Sequence, residues 1–185
     1  MAITTLAQQS GVNVQNMYSN RLFTNINADS PPDQRVPANL ATQLAGVAQC
    51  LGAIGAFQTV KRYRRRALYL RSQFLVAATL AFFAFFIHQR MGWPSLCSML
   101  AFQVAYQLGA GGVHWLYLAD ILSDVQFGFI STVHYCNGIE VAVLTEYMLE
   151  YLTPEGTFLY YSLISLAGYV FYLGCLKETA GLTDR

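Results

Sequence analysis

The sequence predicts an all-α integral membrane protein, with one domain built as a bundle of six transmembrane helices. Hydrophobic residues make up 55% of the 185 residues and charged residues only 11%, against roughly 25% charged in an average soluble domain. Apolar stretches of about 20 residues, long enough to cross a bilayer, recur between short polar segments. The predicted spans cover approximately residues 1–23, 36–60, 67–88, 95–122, 127–152 and 157–176.

The first predicted span, 1–23, is the most polar of the six because Gln8, Gln9 and Asn13 interrupt it. Amides inside a bilayer are costly unless they are hydrogen-bonded, so such a span must face protein or a polar pathway if it crosses at all. An amphipathic helix on the membrane surface is the alternative. A loop at 24–35, with two adjacent prolines, follows.

The second and third spans, 36–60 and 67–88, flank the basic string KRYRRR at 61–66. Small residues at helical spacing in the second span, Ala45, Ala48 and Gly52 among them, permit close contact between helices. The basic string is too short for a nucleic-acid arm and is interpreted as a topology signal. An even number of spans puts both termini on its side, so we expect them to face the cytosol, or the matrix or stroma of an organelle.

The fourth span contains the string LGAGGVHWLYLADI at 108–121. Each of its three glycines costs a helix about 1 kcal/mol relative to alanine, so this segment is predicted to bend or to be approached closely. It is not a dinucleotide-binding loop, because His114 stands where the third glycine belongs and no strand precedes it. His114 itself is interpreted as a hydrogen-bonded packing residue.

The fifth span, 127–152, carries an acid in its middle, Glu140. Such a residue is a functional candidate, either as a proton site or as the partner of a cation. Asp120, at the end of the fourth span, is a second candidate of the same kind. The aromatic side chains of the last span, 157–176, are interpreted as contacts to lipid or to another subunit.

Several function classes find no support in the sequence. A net charge of +1 does not suggest a nucleic-acid partner. There is no nucleophile elbow, carboxylate pair or phosphate loop, so no enzyme and no cofactor is predicted. The cysteines lie far apart and are interpreted as small buried side chains without disulfides or metal. They are Cys50, Cys97, Cys136 and Cys175.

Five features fall into an order that resembles one known family. They are QQSGVN at 8–13 with Tyr18 and Ser19, RRRAL at 64–68, LGAGGVHW followed by an acid at 108–120, Asn137, and KETAGLT at 177–183. In this order they resemble the sugar porters of the major facilitator superfamily. The resemblance covers essentially the whole chain but only the last six of that family's twelve helices, which implies a single major-facilitator half.

The resemblance implies a sugar site built largely from side-chain amides, which offer a donor and an acceptor together to sugar hydroxyls. The corresponding residues here are Gln8, Gln9, Asn13, Gln49, Trp115 and Asn137. One residue is missing between Gln9 and Ser10 relative to the family motif. On a continuous helix this rotates the glutamines by about 100° relative to Asn13.

Other departures concern the fourth and fifth spans. The three prolines of the family motif are replaced by Ala110, Gly112 and His114, and the tryptophan that follows the asparagine of the fifth span is Gly138. No Lys or Arg occurs between Arg90 and Lys177. The family's charge network on the side of the basic loop is therefore expected not to form in its usual way.

Alternating access needs two bundles around one site, and this chain supplies one. The departures favour a structural membrane subunit of a larger membrane protein complex, with other membrane proteins and lipids as partners. We expect an organelle inner membrane, such as that of the mitochondrion, ahead of the plasma membrane. The alternative is a hexose transporter half that works as a dimer or with a separate N-terminal half. Glu140 or Asp120 would then be candidates for proton coupling or ion pairing.

Overall fold

The computed structural model describes residues 2–29, 31–176 and 178, and all regular structure in these residues is helical. The α-helices are α1 (Ala2–Gln8), α2 (Val12–Asp29), α3 (Ala38–Val60), α4 (Arg65–His88), α5 (Gly92–Tyr106), α6 (Val113–Ile121), α7 (Asp124–Tyr151) and α8 (Thr153–Cys175). A short 3₁₀ turn, Pro32–Gln34, precedes α3, and a π-helical turn, Gln107–Gly111, joins α5 to α6.

The helices form six rods, because α1 with α2 and α5 with α6 are interrupted single rods. Within the described residues, four stretches are long and apolar enough to cross a membrane: Pro32–Val60, Arg65–His88, Gly92–Ile121 and Thr153–Cys175. Neither the first rod nor α7 is among these four stretches. The first rod is rich in amides, and α7 carries four acidic residues. The division into six spans therefore stays a prediction for these two rods.

Helix α4 is the central element, and it packs against both α5 and α8. Its buried face includes Leu80 and Phe83, and the Phe83 ring meets the Phe158 ring edge-on at 4.7 Å. Hydroxyl groups add bonds between helices: Ser72 Oγ donates to the Ala105 carbonyl, and Ser162 Oγ donates to the Ala77 carbonyl, each at 2.7 Å. Such bonds matter in lipid, where apolar side chains gain little by contacting each other rather than acyl chains.

Helix α3 confirms the prediction that small residues permit close packing. Its buried residues are Ala41, Ala45, Ala48, Gly52 and Ala56. A Cβ atom at Gly52 would lie only 2.9 Å from the Gln107 Cβ. The opposite face of α3 is apolar and exposed, with Leu51 and Phe57 among its side chains, as expected of a surface that meets lipid or another bundle.

The basic loop at 61–66 continues into α4, which begins at Arg65. Arg66 Nη2 donates to the Leu173 carbonyl at 2.9 Å, in the last turn of α8, where helical carbonyls lack intrahelical partners. Arg65 forms an ion pair with Asp120. Asp120 thus has a cationic partner, supplied by the start of α4 rather than by the segment that follows α6.

The predicted surroundings of the cysteines differ from those observed, and most of the terminal motif lies outside the described residues. The four cysteines are free, but all are exposed on the helices, so their interpretation as buried side chains is wrong. The terminal string KETAGLT, apart from Glu178, lies outside the described residues. The same holds for Met1, Lys177 and Arg185.

Candidate functional site

The site begins at the break between α1 and α2. Helix α1 ends at Gln8 and α2 begins at Val12, so the predicted continuous first span is two helices. Gly11 adopts a φ of +81°, a left-handed conformation that strongly favours glycine. A Cβ atom at this position would also lie 3.1 Å from the Tyr161 ring. The backbone conformation and the limited space both favour glycine here. The turn at Gly11 lets α1 and α2 run in different directions.

The break brings Gln8 and Asn13 together. Asn13 Nδ2 donates to Gln8 Oε1 at 2.9 Å, and Gln8 Nε2 donates to the His134 carbonyl at 3.0 Å. The expected rotation of the glutamines away from Asn13 is therefore wrong for Gln8. That expectation assumed a continuous helix, whereas a turn absorbs the residue that is missing from the motif.

Helix α7 supplies the rest of this group. Asn137 Nδ2 donates to Thr5 Oγ1 at 3.2 Å, which ties α7 to α1 a second time. A Cβ atom on Gly138 would lie 3.1 Å from Gln8 Nε2 and 3.4 Å from Asn13 Nδ2. Gly138 thus provides the space that the two amides occupy. We call Gln8, Asn13 and Asn137 the amide cluster.

An aromatic group borders the amide cluster. The Trp115 ring packs edge-on against the His134 ring at 4.8 Å and near the Phe127 ring at 5.9 Å. His114 is fully buried, with its ring 5.8 Å from that of His134. Neither of its ring nitrogens has a hydrogen-bond partner among the described residues, so its interpretation as a hydrogen-bonded residue is wrong, whereas its packing role is confirmed. Because the His134 carbonyl accepts from Gln8, Trp115 is linked to the amide cluster through a single residue.

The remaining amides predicted from the motif are not joined to the cluster. Gln9 lies in the turn, and its buried Oε1 has no hydrogen-bond partner among the described residues. Gln49 is half-buried on α3. No hydrogen bond between Gln49 and the amide cluster occurs in the described part of the chain. The structure therefore assembles three of the five predicted amides.

Three further amides were missed by the sequence reasoning. Gln103 is fully buried on α5, and its Nε2 donates to Asn16 Oδ1 on α2 at 2.9 Å. Gln15 is also buried, and neither its amide nitrogen nor its oxygen has a partner in the described residues. An isolated glutamine within an apolar run, as in AFQVAY, was the available signal. Buried amides in a membrane are costly unless paired, so the bond between Gln103 and Asn16 stabilises the contact between α5 and α2.

The two predicted acidic candidates differ in their surroundings. Asp120 is largely buried and paired with Arg65. Glu140 is exposed on α7, and no cation contacts it within the part of the chain that the structure describes. The α7 acid that does pair is Glu146, whose Oε1 lies 2.6 Å from Arg21 Nη1 on α2. Among the described residues, no cluster of three or more His, Cys, Asp or Glu could hold a metal ion.

The arrangement suits a ligand with several hydroxyl groups. Asn13 and Asn137 are half-buried, and each uses its amide nitrogen in the bonds above, which leaves its carbonyl oxygen as an acceptor. Trp115 adds a half-buried aromatic surface. Amides beside an aromatic ring can bind both the hydroxyl groups and the apolar face of a sugar ring.

Comparison with known proteins adds independent findings. The family model described as "Sugar (and other) transporter" matches residues 1–184. The facilitated trehalose transporter Tret1 of Apis mellifera ligustica is 24% identical, over 94% of this chain and 36% of its own length. The putative polyol transporter 1 of Arabidopsis thaliana is 27% identical, over 95% of this chain and 36% of its own length.

Solved structures show a similar fold. The proton:xylose symporter XylE bound to 6-bromo-6-deoxy-D-glucose superposes with a TM-score of 0.76 at 19% identity, over 96% of this chain and 39% of that one. The observed bundle therefore has the fold of one major-facilitator half, as the sequence predicted. The chain spans a little over a third of the length of each of these three proteins.

Proposed function

The chain belongs to the sugar (and other) transporter family, and from this premise we propose that its bundle forms one wall of a sugar-binding site. The observation that carries the proposal is the amide cluster, in which Gln8 and Asn13 meet above Gly138. Relatives named for trehalose, polyols and xylose suggest a ligand rich in neighbouring hydroxyl groups. In this proposal Asn13 and Asn137 accept from the ligand, and Trp115 packs against it.

The other wall of the site comes from a second bundle. Alternating access moves two bundles about a site between them, and the region matched in the relatives corresponds to about one bundle. The break at Gly11 supports this role, because interrupted helices at midplane sites expose backbone and amide groups to the substrate. We propose that a second copy or a separate bundle completes the transporter.

Sugar binding by the full chain in lipid nanodiscs tests the proposal. We expect xylose, trehalose or a polyol to change the fluorescence of Trp115 in a variant with Trp93→Phe. Asn13→Ala should weaken this binding about tenfold, since a hydrogen bond lost in a buried site costs about 1.4 kcal/mol or more. Asn39→Ala is the matched control, because Asn39 is an exposed amide bonded only to Asn20 within the described contacts.

Two outcomes would contradict a sugar site at the amide cluster. Either none of these ligands binds, or Asn13→Ala and Asn39→Ala both bind sugar as the unmodified chain does. Circular dichroism and thermal unfolding of each variant establish that the bundle is intact.

Proton coupling is tested by transport with Glu140→Gln, which should abolish the pH dependence of uptake if Glu140 carries the proton.

A structural membrane subunit is the second candidate function. The observation in its favour is that Gln8 uses both ends of its amide within the protein, so the motif also fastens α1 to α7. The partners would be other membrane proteins and lipids, in an organelle inner membrane with the termini on the side of the basic loop. Native mass spectrometry after gentle extraction separates the candidates. A stable place among unrelated subunits supports the structural function, whereas a homodimer or a pair of bundles supports transport.

A further inference from the structure

An apolar groove lies between α3 and α6, and no residue of the amide cluster lines it. It has a volume of about 370 Å³, and its walls include Ala53, Ala56, Phe57 and Leu116. The α3 wall combines the small Ala53 and Ala56 with the larger Phe57, and Leu116 of α6 faces it, so most of the lining is apolar. A second groove, between α4 and α5, is similar in size and lined by Leu75, among others, but no charged residue lines it.

The floor of the groove is the π turn. The Gly112 nitrogen donates to the Gln107 carbonyl at 3.2 Å, a bond across five residues that widens the helix locally. A Cβ atom at Gly112 would lie 3.0 Å from that carbonyl oxygen and 3.2 Å from the Ala56 Cβ. The absence of a side chain at Gly112 therefore lets the π turn approach Ala56 of α3 closely, and this contact closes the inner end of the groove.

The mouth of the groove is positively charged. Lys61 and Arg65 line it, and the Lys61 ammonium lies 4.1 Å from the centre of the Phe57 ring. Arg65 is paired with Asp120, whereas no carboxylate among the described residues forms an ion pair with Lys61. The Lys61 ammonium at this end of α3 therefore remains able to bind an anion.

We propose that this groove binds an anionic phospholipid. One acyl chain lies along Ala53, Ala56 and Leu116, and the phosphate is held by Lys61 and Arg65 at the membrane interface. Basic pockets between membrane helices commonly bind anionic head groups, and the charged mouth distinguishes this groove from the uncharged one between α4 and α5. The proposal goes beyond the sugar site and does not depend on it.

The test measures which lipids the full chain retains. The protein is extracted gently, exchanged into mixed phosphatidylglycerol and phosphatidylcholine, and examined by native mass spectrometry. We expect phosphatidylglycerol to be retained preferentially. Lys61→Gln, which removes a cation, and Ala53→Trp, which fills the groove, should each reduce its retention about fivefold.

Two controls match these variants. Arg21→Gln removes an exposed cation far along the chain from the groove, and Ala101→Trp fills the second groove. Both should retain phosphatidylglycerol within about twofold of the unmodified chain. Equal retention of the two lipids, or equal losses in the test and control variants, would overturn the proposal.

A photoreactive group at Phe57 identifies the occupant directly. A cross-link to phosphatidylglycerol supports the proposal. A cross-link to another protein, or to a second copy of the chain, overturns it, because the groove would then be part of a protein interface. Lys61→Gln alters only an exposed side chain, so its effect on lipid retention is readable even if Ala53→Trp fails to fold.

Discussion

Two rods of the bundle are interrupted at glycines, and the two interruptions use glycine for different reasons. Between α1 and α2 the backbone itself needs it, because Gly11 adopts a φ of +81°. Between α5 and α6 the backbone stays in the right-handed helical region, with Gly112 at a φ of −91°. There the need is for space, since a side chain on Gly109 would overlap Ser72. The first interruption redirects side chains, whereas the second lets helices approach.

The largest effect is expected from Gly109→Leu. The new side chain would overlap the Ser72 hydroxyl and Cβ, where the π turn meets α4, so the central packing must separate. We expect a loss of about 3 kcal/mol or more in the free energy of unfolding, at the upper end of overpacking. Thermal unfolding in detergent measures it. Gly46→Leu is the control, because a side chain there meets nothing within 4 Å. Equal melting of the two variants would refute close packing at Gly109.

Gly11→Ala is expected to have the next largest effect. A left-handed residue other than glycine costs roughly 1–2 kcal/mol, and the methyl group would also press on the Tyr161 ring. The same unfolding measurement applies. Gly128→Ala is the control, since Gly128 lies in the helical interior of α7 with open space around it and alanine favours the helix. A Gly11→Ala protein as stable as the original chain would show that the turn is not needed.

Breaking the amide cluster is expected to have a moderate effect. Gln8→Leu removes the bonds to the His134 carbonyl and to Asn13, and it leaves the half-buried Asn13 amide nitrogen without its acceptor. We expect a loss of about 1–2 kcal/mol. A double-mutant cycle of Gln8→Ala with Asn13→Ala should give a coupling free energy of about 1 kcal/mol. Gln49→Leu, outside the cluster, should change stability little, and a zero coupling would contradict the Gln8–Asn13 bond.

The smallest effect on stability is expected from Gly138→Ala. The methyl group would lie 3.1 Å from Gln8 Nε2, so the amide must shift slightly, while alanine gains about 1 kcal/mol of helix propensity. The two terms nearly cancel, and the unfolding temperature should change by little. Sugar binding should nevertheless weaken, because the amides are displaced. Unchanged binding with unchanged stability would show that Gly138 does not set the position of the cluster.

The fold was predictable because its determinants are local or repeat along the chain. Three kinds of pattern can be identified without knowing which residues meet in space. Apolar runs of membrane length predict spans, the small residues around Gly52 predict close helix packing, and the ordered motifs indicate the family. The sequence likewise indicated that the segment around Gly109 bends or packs closely. The contact between Gly109 and Ser72 was not predictable, because it joins residues on different helices.

The site was predictable only in part. Gln8, Asn13 and Asn137 were identified from the motif, but their geometry depends on a turn that periodicity cannot show. Periodicity assumes that a helix continues, and a left-handed residue at Gly11 ends it. Gln103 was missed because one amide within an apolar run does not reveal which face of the helix it occupies. The pairing of Arg65 with Asp120 joins residues far apart in the chain, which no local pattern reports.

The π turn has a further consequence for how the chain tolerates changes in length. Such a turn holds one residue more than a regular helix needs, so it stores a single-residue insertion without breaking the rod. Deleting Gly111 would remove the stored residue and restore regular winding, with α6 kept near its present rotation and height. Trp115 would still face His134, and Asp120 would still face Arg65. The same deletion within the regular part of α6, before Asp120, would rotate the residues after it by about 100° and retract them by about 1.5 Å. The π turn is therefore the place on this rod where a change of one residue in length is tolerated best.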